Sequence, residues 1–168
     1  ASLLLNTTAS NNTAVGYQAG YSNTTGTTLT ALGAFSAQSN TTGVKNTAIG
    51  YQALEDSTTG QQNTAVGNEA IKNNTTGSYS TGVGSGALAS NTEGAFNVAV
   101  GTGSLQSNTT ASNNTAVGYQ SLTSNTTGTR NVGVGYNTLS LNTTANDNTS
   151  VGHDALDVNT TGASNTAL

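Results

Sequence analysis

The sequence predicts an all-β fold, a parallel β-solenoid of ten 17-residue coils, and three observations lead to this prediction. Glycine recurs at an unbroken spacing of 17 residues, from Gly16 to Gly152. Each of these glycines follows a short run of β-branched and small residues, which favours a strand. Gly interrupts every unit, and Asn, Thr and Val are mediocre helix formers, so a helical repeat is disfavoured. Extended units with glycine at their corners are typical of a β-solenoid.

The repeat frame starts at Asn12, which we number as position one of the unit N-T-A-V-G-Y-Q-A-L-x-S-N-T-T-G-x-x. The chain begins with Ala1 at position seven, contains nine complete units and stops with Leu168 at position four. In a solenoid each position lies above its copy in the previous coil, about 4.8 Å away. Residues 1–168 are therefore expected to form a single rod of roughly 50 Å.

The aliphatic residues of the unit predict the core of each coil. Position four is Val, Ile or Leu in every copy, and position nine is Leu or Ile in most copies. Side chains alternate along a strand, so position two is expected to share the inward face with position four, while something packs closely against the small residue at position three. The predicted core residues are Val15, Leu32, Ile49, Val66, Val83, Val100, Val117, Val134, Val151, Leu54, Ile71, Leu88, Leu105, Leu122, Leu139 and Leu156.

The two glycine positions of the unit indicate different requirements. Position five is always Gly, which predicts a positive φ or a very close approach of another backbone. Position fifteen is Gly in most copies but Ala in three of them, at Ala9, Ala111 and Ala145. Because Ala tolerates left-handed backbone poorly, the requirement at position fifteen is expected to be small size.

Neither end of the sequence departs from the repeat. Natural solenoids cover their terminal coils with atypical capping segments, because open ladder edges recruit other strands. The repeat here starts and stops in mid-unit. We therefore expect a segment of a longer repetitive chain, or a chain that associates with itself as a homo-oligomer or end-to-end filament.

The composition argues against several function classes. Three basic residues, Lys45, Lys72 and Arg130, cannot neutralise a phosphate backbone, so nucleic-acid binding is not expected. No apolar run approaches the ~18 residues of a membrane span. Only His153 is available as a histidine, and no G-x-S-x-G motif is present, so we do not predict an enzyme.

The densest ionisable cluster is His153, Asp154 and Asp157, with Asp147 nearby in the sequence. A metal or acid–base site needs converging ligands. These residues occupy variable positions of the unit, and the calcium-binding G-G-x-G-x-D pattern is absent, which favours a solvated surface. We predict neither a metal nor a cofactor.

Three strings carry a resemblance to known proteins: "NTAVGYQA" (residues 12–19), "NTAIGYQAL" (46–54) and "NTAVGYQSL" (114–122). They resemble the head repeats of trimeric autotransporter adhesins, which carry an N-S-V-A-I-G-like strand. The chain is also similar to repeat regions of bacterial and phage fibre proteins. The resemblance covers the whole chain, and it implies a left-handed parallel β-roll with an extracellular, cell-surface or fibre role.

The recurring string "NTT" allows two interpretations of its Asn. Stacked Asn amides can hydrogen-bond from coil to coil, as in cross-β stacks, and the close spacing of the copies favours this ladder. The alternative is N-glycosylation, since Asn-x-Ser/Thr is the acceptor motif. The candidate glycan acceptors are Asn6, Asn23, Asn40, Asn74, Asn108, Asn125, Asn142 and Asn159.

Two further rows of residues are candidates for recognition. Regular Thr rows on a flat face could order water or bind ice, although adjacent Thr residues point to opposite faces of a strand. The tyrosines at position six, Tyr17, Tyr51, Tyr119 and Tyr136, could contact sugars or surfaces. A half-buried Tyr that shields a corner of the coil is the simpler interpretation.

These observations together predict a structural protein, a β-solenoid rod of an extracellular fibre or adhesin. Its partners would be copies of itself, glycans, or a cell or environmental surface. The alternative is an ice- or surface-binding solenoid that uses its Thr and Asn rows.

Overall fold

Ten short strands follow one another along the chain in the computed structural model, which describes all 168 residues and contains no α-helix. They form one sheet in sequential order, and every neighbouring pair is parallel. The register is constant, so that Thr64 pairs with Thr81 and Val66 with Val83. This arrangement confirms the predicted parallel β-solenoid with a 17-residue coil. The strands are β1 (Thr13–Val15), β2 (Thr30–Leu32), β3 (Thr47–Ile49), β4 (Thr64–Val66), β5 (Thr81–Val83), β6 (Val98–Val100), β7 (Thr115–Val117), β8 (Val132–Val134), β9 (Thr149–Val151) and β10 (Thr166–Ala167).

The corners of the coils stack as regularly as the strands. Of 110 backbone hydrogen bonds, only 18 lie within the sheet. Most of the others join one coil to the next, such as Leu54 N to Ala70 O at 3.0 Å and Thr58 N to Thr75 O at 3.0 Å. Backbone groups need partners when water is excluded, and here the adjacent coil supplies them.

No helix that could cross a membrane is present.

The interior of the coil is lined by the small residue of each strand. Ala48, Ala65 and Ala99 at position three have no exposed surface, and the Leu or Ile of position nine packs among them. A Cβ atom added at Gly82 would lie only 2.6 Å from Cγ1 of Ile71. Two walls this close leave room for one large aliphatic side chain per coil. Position nine supplies it, as the sequence predicted, at Leu54, Ile71, Leu88, Leu105, Leu122 and Leu139, with Leu156 partly buried against the same cluster.

The prediction that positions two and four of each strand face inward was wrong. Positions two and four do share a face, but this face points outward, and Val15 and Leu32 remain 58% and 47% exposed. The narrow interior accepts the small residue at position three and excludes a β-branched residue on the same wall. The predicted core residues that instead lie on the exposed or half-exposed outer face are Val15, Leu32, Ile49, Val66, Val83, Val100, Val117, Val134 and Val151.

Two columns of asparagine run through the interior. In the inner Asn column, at position twelve, Nδ2 of Asn108 donates to Oδ1 of Asn91 at 2.8 Å and to the carbonyl of Ala111 at 3.0 Å. In the strand Asn column, at position one, Oδ1 of Asn46 accepts from the backbone N–H of Asn63 at 3.0 Å. Buried amides cost free energy unless they are hydrogen-bonded, and both columns meet that requirement with bonds along the axis.

The two glycine positions differ as predicted. Gly118, at position five, has a φ of +133°, and an added Cβ would lie 2.2 Å from the carbonyl oxygen of Gly135. Gly128, at position fifteen, is not in the positive-φ region, and it is confined by the carbonyl of Ala145 and the side chain of Asn125. Position five therefore needs both handedness and size from Gly, whereas position fifteen needs small size.

Left-handed backbone also occurs at residues that are not glycine. Positions seven, nine and seventeen have positive φ in every coil, for example Gln120 at +51°, Leu122 at +53° and Arg130 at +57°. This conformation is unfavourable for residues with a Cβ, by roughly 1–2 kcal/mol each. Its repetition shows that hydrogen bonds between coils outweigh the local strain.

Candidate functional surfaces

One regular surface is the outer side of the sheet, which we call the sheet face. It carries two parallel rows. The Thr row consists of position two, and the aliphatic row of position four. Within a row the residues recur about every 4.8 Å, and the rows lie about 6.7 Å apart because they are two residues apart along each strand. The Thr row is Thr13, Thr30, Thr47, Thr64, Thr81, Val98, Thr115, Val132, Thr149 and Thr166, and the aliphatic row is Val15, Leu32, Ile49, Val66, Val83, Val100, Val117, Val134, Val151 and Leu168.

The chemistry of the sheet face is half hydroxyl and half hydrocarbon. The threonines of the Thr row make no side-chain hydrogen bond within the chain, unlike Thr24, whose hydroxyl donates to the carbonyl of Thr41 at 3.0 Å. Their hydroxyls therefore face solvent beside a continuous aliphatic row. The face can bind through methyl groups and hydroxyls together, over the full length of the sheet.

The predicted glycan acceptors belong to the inner Asn column. Six of the eight, Asn23, Asn40, Asn74, Asn108, Asn125 and Asn142, have no exposed surface. Their amides are bonded to the neighbouring coils and to position fifteen of the same coil. The folded coil leaves no room for a glycan on any of these six residues. The interpretation of these sites as glycan acceptors was therefore wrong, and the ladder interpretation is correct. Asn6 and Asn159, in the outermost coils, are exposed and partly exposed respectively.

The adjacent threonines of "NTT" differ in depth. Thr24, at position thirteen, is partly buried and bonded to the next coil, whereas Thr25, at position fourteen, is exposed. The same bond recurs along the column, from Thr7 to Thr143. Position thirteen is therefore structural, and a single exposed Thr row remains on this corner.

The predicted tyrosines lie on the outside of the first corner, in two separate groups. Tyr17, Tyr51, Tyr119 and Tyr136 are 45–62% exposed. Tyr119 and Tyr136 stack with ring centroids 5.3 Å apart and an interplanar angle of 13°. His153 continues this stack on Tyr136 at 4.9 Å. Because Tyr119, Tyr136 and His153 stack on one another, these rings present their edges to solvent.

Three further aromatic residues make ring contacts that were not predicted from the sequence. Phe35 contacts both Tyr17 and Tyr51 edge to face, at 5.3 and 5.9 Å. Tyr79 and Phe96 stack at position seventeen, with centroids 5.0 Å apart. Their separation of one repeat length was a usable signal for the second pair, since equal positions lie one above the other.

Charged side chains form small pairs, either between neighbouring coils or within one coil. Nε of Arg130 lies 2.6 Å from Oδ1 of Asp147, and this hydrogen-bonded pair lowers the pKa of Asp147 and raises that of Arg130. His153 contacts Asp154 at 3.0 Å. Asp147 is paired with Arg130, and the side chains around His153 do not form a group of three that could hold a metal ion.

A further charged group is formed by Lys72, which lies 3.7 Å from the carboxylates of both Glu55 and Glu69.

The surface has no pocket. Comparison of the chain with protein-family models, with curated proteins and with solved structures found no match. The class of protein is therefore defined by the fold itself, as a tandem-repeat β-solenoid.

Proposed function

We propose that the chain is a structural rod, a segment of an extracellular fibre or adhesin. The observation that carries this proposal is that the same coil-to-coil bonds recur along the whole chain. The strands, the Asn columns and the Thr column all connect residues 17 positions apart. A molecule built this way gains length with every added unit while its bonding stays the same.

Three features support a place outside the cell and a partner that is a surface or a second copy. The strings at residues 12–19, 46–54 and 114–122 resemble adhesin head repeats. The chain contains only three Lys or Arg residues and no Cys or Met, so it offers few sites for trypsin-like proteases and lacks the main targets of oxidation. The sheet face is long, regular and partly apolar, as a contact surface needs to be.

Whole-coil deletion tests the rod. Removing residues 63–79, one complete unit, should leave the remaining coils in register and shorten the molecule by about 4.8 Å in small-angle X-ray scattering. The matched control removes only residues 63–70 and leaves nine residues that cannot complete a coil. We expect the larger deletion to give the more stable protein. The reverse order of stability, or no shortening, would contradict an additive rod.

The location needs its own experiment. Antibodies against the folded chain should label filaments on intact, unpermeabilised cells or particles of the source. Labelling that appears only after permeabilisation would remove the extracellular part of the proposal and leave the additive rod standing.

A second candidate function is the ordering of water or the binding of ice by the sheet face. Unbonded Thr hydroxyls at about 4.8 Å spacing beside a methyl-rich row favour it. If the sheet face binds ice, thermal hysteresis should be present and should fall with Thr64→Tyr and Thr115→Tyr. Thr127→Tyr, on the exposed corner row, is the matched control and should retain it. Absence of hysteresis in the unmodified protein would eliminate this candidate.

A further inference from the structure

The stacked pair Tyr119 and Tyr136 differs from every other tyrosine contact in the molecule. Both rings follow a strand at position six, β7 and β8 respectively, so the stacking of the coils holds them together. Their centroids are 5.3 Å apart, their planes are within 13° of parallel, and the residues are 45% and 46% exposed. The two phenols are thus both adjacent to each other and accessible from solution.

The remaining tyrosines lack a tyrosine partner. Phe35 separates Tyr17 from Tyr51, and Tyr79 stacks on Phe96. Tyr21 makes no aromatic contact. Phenylalanine has no hydroxyl from which a one-electron oxidant can remove a hydrogen atom, so these contacts cannot form a bond between two phenols.

We propose that Tyr119 and Tyr136 form a site of oxidative cross-linking, where a peroxidase-type one-electron oxidant with hydrogen peroxide joins their two neighbouring coils by a dityrosine bond. Each phenol gives up one electron and one proton, which produces two phenoxyl radicals. The radicals couple through ring carbons ortho to the hydroxyls, and each of these carbons then loses its hydrogen as a proton that returns to the phenol oxygen. The protein loses two hydrogen atoms in total, and hydrogen peroxide accepts them and becomes two molecules of water.

The geometry favours a bond within one chain. The coils keep the two rings at contact distance before oxidation, so the second radical is generated beside the first. Two chains must instead meet by diffusion, at a rate that falls with dilution. The product would covalently link two adjacent coils at their first corner. Only hydrogen bonds and the ring stack otherwise connect the coils at this corner.

The positions of the basic residues make the product easy to assign. Trypsin cleaves after Lys45, Lys72 and Arg130, so Tyr119 falls in the peptide 73–130 and Tyr136 in the peptide 131–168. Dilute protein is treated with a heme peroxidase and hydrogen peroxide, then denatured, digested and analysed by mass spectrometry. We expect these two peptides joined, with a mass equal to their sum minus two hydrogen atoms.

Substitutions supply the controls. Tyr119→Phe and Tyr136→Phe should each abolish the linked product, whereas Tyr51→Phe, also at position six, should leave its yield unchanged. Phe96→Tyr should create a second stacked pair with Tyr79 and a new loss of two hydrogen atoms within the peptide 73–130.

Three results would overturn the proposal. One is a digest without the linked peptides under conditions that oxidise the tyrosines. Another is a yield that rises in proportion to protein concentration and is confined to covalent dimers. The third is persistence of the linked product in Tyr136→Phe.

Discussion

The inner Asn column can be tested by substituting two neighbouring asparagines of opposite exposure. Asn74 has no exposed surface, whereas Asn73, the residue before it, is exposed. Nδ2 of Asn74 donates to the carbonyl of Gly77 at 2.9 Å, and its Oδ1 accepts from Nδ2 of Asn91 at 2.9 Å. A third contact, to Oγ of Ser57, is long at 3.5 Å.

The expected loss of stability in Asn74→Ala follows from these contacts. Two good hydrogen bonds contribute about 1 kcal/mol each, and the long contact contributes little. The partners are not orphaned, because the carbonyl of Gly77 still accepts from Asn63 and Nδ2 of Asn91 still donates to Gly94. The space left by the amide in a closely packed interior adds a further penalty. We expect a total of about 2–4 kcal/mol.

Equilibrium unfolding in urea, followed by circular dichroism, measures this difference. The side chain of Asn73 makes no hydrogen bond within the chain, so Asn73→Ala is a control with the same chemical change and should shift stability by less than about 0.5 kcal/mol. Equal effects of the two substitutions would refute the structural role of the column, since propensity and composition alone would then account for both.

Four other substitutions test three separate features. Gly118→Ala should cost about 3 kcal/mol or more because the new Cβ meets a backbone carbonyl at a position that also has a positive φ. Gly128→Ala also brings a Cβ against a carbonyl oxygen, but without a positive φ and at a position where other coils accept Ala111 and Ala145, so it should cost far less; thermal unfolding of both variants checks this. Leu105→Ala should cost about 2–5 kcal/mol in the same assay, because it truncates a side chain with no exposed surface. The Arg130–Asp147 pair lowers the pKa of Asp147, so its small contribution to stability should be present above the ordinary Asp pKa of about 4 and disappear as acid protonates the carboxylate. Urea midpoints of Arg130→Gln and the unmodified protein should therefore converge at low pH, and a difference that grows in acid would contradict the sign.

The sequence was sufficient to predict the coil length, the strand register and the meaning of both glycine positions. It was insufficient to predict which face of the strand is inward. Alternation shows that positions two and four share a face, but it does not assign that face to the core. The aliphatic character of position four placed Val66 inside, although the small residue at position three, such as Ala65, already indicated a close contact there. The deciding factor was the width of the interior, which Leu at position nine already fills and which only the structure reveals.

The positions with left-handed backbone could have been recognised in the sequence by comparing the residue types that occur at each position of the unit. Position seven is Gly at Gly86 and Gly103, and position nine is Gly at Gly20. Position seventeen contains Asn or Asp in several units, and both residue types are enriched in left-handed backbone. Sporadic glycines therefore marked positions seven and nine, and Asn or Asp marked position seventeen. The aliphatic Leu122 at such a position gave no hint of its own.

The constant separation of bonded residues has a consequence for folding kinetics. The ladder joins residues about 17 positions apart in a chain of 168, so the separation is about one-tenth of the chain length (17/168). Relative contact order near 0.1 is typical of helical bundles, which fold quickly, whereas all-β sandwiches are nearer 0.2. Adding coils lowers the ratio further. We therefore expect folding of this all-β chain to nucleate at any neighbouring pair of coils and to propagate from there. The time needed for the conformational search should then not grow in proportion to the chain length.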